Sequence, residues 1–110
     1  MKYIKMYENL RLHKGYYVIC KEHVSYINKK TEIFINNNVG KYIMYDNEAV
    51  DNKYVIEYEN IPDDILYDDF FLNPVTNIRN IRWMERSEIL KFSKTKTELE
   101  EYLAIKKYNL

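Results

Sequence analysis

The sequence has one cysteine, two glycines, two prolines and a formal net charge of zero, and each scarcity removes a class of protein. Cys20 alone cannot close an internal disulfide, so the fold does not depend on oxidation, and a cytoplasmic setting is expected. Gly15 and Gly40 cannot build a phosphate cradle, and the chain contains no P-loop, no G-x-G-x-x-G and no G-x-S-x-G. The longest unbroken apolar run, Tyr16-Tyr17-Val18-Ile19-Cys20, falls far short of the roughly 20 residues that cross a bilayer. Met1-Lys2-Tyr3-Ile4-Lys5-Met6 leads into no apolar stretch of signal-peptide length, so neither secretion nor a membrane partner is expected. With 17 basic and 17 acidic residues, the strongly basic balance of a typical nucleic-acid-binding domain is missing as well.

What remains is the composition of an ordinary folded domain. The 110 residues are 46% hydrophobic and 31% charged, which predicts a single unit over 1–110. A chain of this length buries roughly two-thirds of its unfolded surface and needs no staple. Twelve tyrosines accompany abundant Asn, Lys and Ile, the residue types that AT-rich codons encode. The rings serve either as half-buried packing or as an aromatic binding surface.

Short β-type runs fill the first half and helix signals the second, which predicts an α+β fold: an antiparallel meander of about five strands followed by two or three short helices, with the C-terminal helix packed on the sheet. Strands are expected at Tyr3–Tyr7, Tyr16–Ile27, Glu32–Ile35, Lys41–Tyr45 and Lys53–Tyr58, separated by Lys14-Gly15, Asn28-Lys29-Lys30, Asn36-Asn37-Asn38 and a polar hairpin around Asp46–Asn52. Pro62 suits the first turn of a helix, Asp63 and Asp64 suit the positive end of its dipole, and a helix over Pro62–Phe71 should stop at Asn73-Pro74. Ile78–Trp83 reads as a strand and Arg86–Phe92 as a short helix. Thr95-Lys96-Thr97-Glu98 has the form of a capping box and predicts a helix over Lys96–Lys107 with Leu99, Tyr102, Leu103 and the stem of Lys106 on its packed face.

Catalytic constellations are sparse. Cys20 and His23 are three apart, a spacing that sends them to opposite faces of a strand, so a thiol–imidazole pair is not expected. One cysteine and two histidines do not form a zinc site. Asp64 and Asp68 fall one helical turn apart, but acidic first turns normally serve the dipole. No enzyme activity, no metal and no cofactor are expected.

Charge segregation is the sharpest feature. Residues 1–45 carry a net of +5, residues 46–70 a net of −8 and residues 77–97 a net of +4. One outcome is internal neutralisation, in which surface pairs contribute at most about 1 kcal/mol each. A second is an exposed negative strip of Glu48, Asp51, Glu57, Glu59, Asp63, Asp64, Asp68 and Asp69, with Tyr45 and Tyr67 as aromatic anchors among Tyr54, Tyr58, Phe70 and Phe71. Carboxylates so arranged suit a groove built to neutralise phosphates, which makes the expected partner a protein with a basic surface, such as a nuclease or another nucleic-acid-binding protein. A third reading assigns nucleic-acid binding to Arg79, Arg82, Trp83, Arg86, Lys91, Lys94 and Lys96, with arginines on phosphates and Trp83 stacked on a base.

In type rather than in residues, the chain resembles small accessory proteins of bacteriophages and mobile elements. Many of these are stoichiometric inhibitors of host defence systems such as CRISPR nucleases or restriction enzymes. The resemblance implies a non-enzymatic inhibitor or regulator acting through the acidic, tyrosine-rich segment.

Overall fold

The computed structural model describes residues 11–21, 28–50 and 53–108. Among them the chain runs through β1 (Tyr17–Cys20), α1 (Lys29–Asn37), β2 (Gly40–Tyr45), β3 (Tyr54–Glu57), α2 (Asp63–Asp69), β4 (Phe71–Leu72), β5 (Arg79–Met84), β6 (Ile89–Ser93) and α3 (Lys96–Tyr108). The six strands form one sheet in the order β4-β5-β3-β2-β1-β6, and every neighbouring pair is antiparallel. The α+β architecture read from the sequence is therefore present, with α3 packed on β6 and β1. The expected strand Tyr3–Tyr7, the far half of Tyr16–Ile27, His23 and Asp51 lie outside the described residues.

Two segments differ from expectation. Glu32–Ile35, read as a strand, lies inside α1. Thr31 and Ile35, four apart, are its buried residues, and that spacing is one helical face. The flanking asparagines, read as turns, close both ends. Asn28 Oδ1 accepts from the Lys30 amide at 2.9 Å, and the Asn37 and Asn38 side-chain amides donate to the Ile33 and Phe34 carbonyls at 2.8 Å each. These bonds satisfy groups that a helix terminus leaves without partners.

Arg86–Phe92, read as a helix, is a single 3-10 turn over Arg86–Glu88 followed by strand β6. Glu85 and Glu88 form a reciprocal capping box on that turn, and pairing with β1 then overrides any helical preference of Ile89, Leu90 and Phe92. At α3 the helix is as expected but its start is wired differently. The Glu98 carboxylate accepts from the Ser93 hydroxyl at 3.0 Å, and that hydroxyl accepts from the Thr95 amide at 3.2 Å. α2 stops at Asp69, before Asn73-Pro74, where the Phe70 amide donates to the Leu66 carbonyl and the chain turns extended.

The link from β5 to β6 dictates the curvature of the sheet. In a flat sheet the two strands would stand about 19 Å apart by strand spacing alone, and they are joined through residues 85–88, which reach at most about 18 Å when fully extended. The sheet must coil until the end of β5 approaches the start of β6. Met84 and Ile89, one at each end of the link, accordingly belong to one core with Val18, Cys20, Ile35, Tyr42, Ile56, Tyr58, Ile65 and Phe70. Burying an aliphatic or aromatic side chain of this kind contributes about 1.5–3 kcal/mol relative to exposure.

Candidate functional site

The acidic segment is folded onto the rest of the chain along much of its length. Asp46, at the end of β2, accepts the Trp83 indole N–H at 2.9 Å and the Glu48 amide at 3.0 Å. These donors hold its carboxyl below the usual carboxylate range, the Trp83 bond being the largest cause. Asp64 on α2 pairs with Lys30 on α1 at 2.9 Å, which lowers the carboxyl and raises the ammonium. Asp69 accepts from the hydroxyl of fully buried Thr31, a second tie between the same helices. Glu57 accepts from the Asn73 side-chain amide at 3.2 Å, and Glu59 pairs with Lys96 at 3.3 Å. Glu48, Asp63 and Asp68 are exposed and have no side-chain partner among the described residues. The negative strip is thus divided between internal pairs and three outward carboxylates.

The aromatic residues interleaved with these acids divide in the same way. Tyr58 and Phe70 are core, and both rings stack edge-on with Phe34. Tyr54 packs between Tyr42 and Tyr45, while burial and these neighbouring phenols raise the Tyr42 hydroxyl. Tyr67 is 73% exposed and Phe71 46% exposed.

The basic region has mostly intramolecular work. Arg79 and Arg82 donate to the Phe70 and Asp69 carbonyls at 2.7 and 2.6 Å, capping the end of α2 where carbonyls lack helical partners. Their guanidinium groups lie over the rings of Tyr67 and Phe70 respectively. Trp83 is half-buried, bonded to Asp46 and edge-on to Phe71. Arg86 donates to the Ile89 carbonyl and covers Phe92, Lys91 lies 4.6 Å from the Tyr102 ring centroid, and Lys96 holds Glu59. Lys94 is exposed.

The most exposed apolar stretch is one the charge pattern passes over. Tyr67 on α2, Phe71 and Leu72 on the edge strand β4, and Val75 and Ile78 in the segment after it are all exposed. Buried Asn73 shapes the turn between them: its Oδ1 accepts from the Val75 amide at 2.9 Å, and Asn77, at φ 59°, closes onto the Asn73 carbonyl. Val75 and Ile78 standing apolar inside a turn of otherwise polar character was the available sequence signal.

Elsewhere, a cleft of about 230 Å³ opens between β1, β2, the end of β3 and the first residue of α3. No group of three or more His, Cys, Asp or Glu suited to a metal occurs among the described residues, and none of their helices is long and apolar enough to cross a membrane. Cys20 is buried in the core. No family model, curated protein or solved structure matches this chain.

Proposed function

We propose that the protein is a non-enzymatic binding protein that docks a cationic protein partner through the face made by α2, β4 and the turn after it. The observation that carries this reading is the coincidence of five exposed apolar side chains, Tyr67, Phe71, Leu72, Val75 and Ile78, with the unpaired carboxylates of Asp63 and Asp68. Charge sets the rate of capture and desolvated aromatic anchors set its lifetime, and this face offers both. Surfaces rich in positive charge serve to neutralise phosphates, so the partner class is a nucleic-acid-handling protein, inhibited or regulated when its groove is occupied. Action against a host defence nuclease by a phage or mobile-element protein is the specific form of this proposal.

Direct nucleic-acid binding through Arg79–Lys96 is the second reading. The internal bonds of Arg79, Arg82 and Trp83 favour the first.

The test is affinity capture from the native host with wild-type protein and with D63K/D68K and Y67A variants, followed by titration of the captured partner. Partner binding should fall at least about tenfold in each variant, and the charge-reversed pair should lose most of its salt dependence. Equal capture by folded variants refutes the docking face. A salt-sensitive gel shift of DNA or RNA by the isolated protein would favour the second reading.

A further inference from the structure

Lys41 and Glu57 stand directly opposite each other on β2 and β3, in a row that also contains Tyr17 on β1 and Ile81 on β5. Opposite charges in such register ordinarily pair across the ladder. Here they are drawn to opposite sides. The Lys41 ammonium lies 5.8 Å from the centroid of the Tyr17 ring, toward β1. The Glu57 carboxylate is bonded to Asn73 at the end of β4, on the other flank of the sheet. The two groups form no ion pair with each other, and both line the 230 Å³ cleft.

The remaining charges of the cleft are already matched. Of the other two charged lining residues, Lys96 holds Glu59 at 3.3 Å, and this pair is neutral. What the cleft presents is therefore one cation and one anion that are not paired with each other, with an aromatic ring beside the cation. An anion alone would meet the Glu57 and Glu59 carboxylates, and a cation alone would meet Lys41 and Lys96. A dipolar molecule satisfies both ends. The volume lies below the about 300–1,000 Å³ of drug-sized pockets, which restricts the occupant to something small.

We infer that this cleft binds a small zwitterion, a free α-amino acid in chemical class, with its carboxylate on Lys41 and its ammonium on Glu57. The cleft touches the α2–β4 docking face through the Glu57–Asn73 bond, but the inference does not rest on that reading. Each end makes a charge-assisted hydrogen bond, and losing one lowers affinity by about tenfold or more.

The experiment uses the full chain and a panel of the proteinogenic L-amino acids at millimolar concentration, followed by ligand-observed and amide-resolved NMR. At least one amino acid should bind and shift the amides of Tyr17, Lys41 and Glu57. Its N-acetyl and methyl ester derivatives should each bind at least about tenfold more weakly, as should the parent amino acid with K41M and with E57Q. The capped ligands test the same charges with no change to the protein, so a poorly folded variant does not decide the outcome. Absence of any amino-acid binding overturns the inference, as do equal affinity for the capped forms and amide shifts at these residues produced equally by inorganic phosphate.

Discussion

Replacing Gly40 by alanine should destabilise the protein by about 1–2.5 kcal/mol. A β-carbon at this position would lie 2.5 Å from Ile56 Cγ2 and 2.9 Å from Tyr58 Cζ, closer than carbon atoms approach without displacement. Neither neighbour can yield easily. Ile56 is fully buried, and the Tyr58 ring is 1% exposed and held edge-on by Phe34 and Phe70. Overpacking of a well-filled core costs about 1–3 kcal/mol, and the upper part of that range applies because the obstructing atoms are not flexible chain ends. The reduced backbone freedom of the unfolded chain offsets only about 0.4–1 kcal/mol. Urea denaturation followed by the fluorescence of Trp83, the sole tryptophan, measures the result, and the matching loss of melting temperature is about 4–20 °C. Ile56→Ala removes the nearest contact, so Gly40→Ala should cost at least about 1 kcal/mol less in that background. Gly15→Ala is the contrasting control: nothing lies within 4 Å of its β-carbon, and its φ of +93° alone penalises alanine. A stability change under about 0.5 kcal/mol for Gly40→Ala, or strict additivity with Ile56→Ala, would refute the steric argument.

Thr31→Val removes the hydroxyl that ties α1 to Asp69 from a fully buried position and should cost about 1–2 kcal/mol, visible as a lower urea midpoint at unchanged slope. Leu99→Ala should cost about 2–4 kcal/mol and lower hydrogen-exchange protection throughout α3, because Leu99 is the buried side chain among the described side chains of that helix. Asp46 titrates below the usual range, so the stability it contributes is complete above the ordinary carboxyl pKa of about 3.9 and is lost as pH falls through the lower folded value. With Trp83→Phe the main cause disappears, and carboxyl NMR titration should show Asp46 moving upward toward the ordinary value. An unmoved Asp46 would mean that the Glu48 and Ala49 amides suffice to hold it down.

The readability of this chain varied with how local each determinant is. The β2–β3 hairpin was legible because Tyr54, Ile56 and Tyr58 alternate with Val55 and Glu57, and α2 because Pro62, Asp63 and Asp64 act within one turn. α1 reads as a strand because Ile33 and Ile35 within Glu32–Ile35 also fit an alternating pattern, and only the tertiary burial of Thr31 with Ile35 decides the period. β6 was misread because its partner, β1, lies about seventy residues away in sequence. Charge counts located the acidic stretch and its aromatic neighbours. They could not distribute the pairs: Lys30 with Asp64 and Lys96 with Glu59 are contacts between elements distant in sequence. The same holds for the cleft, where Tyr17, Lys41 and Glu57 come from three strands.

The placement of β6 at the far edge, beside β1, orders events during synthesis. Tyr17–Cys20 pairs with β2 on one side, but its other edge waits for Ile89–Ser93, about seventy residues later in the chain. Until then β1 offers an unfilled row of amides and carbonyls to any extended neighbour. A chain interrupted after β5 would therefore be not a slightly shorter protein but a sticky one, and β6 acts as the chain's own protection against self-association.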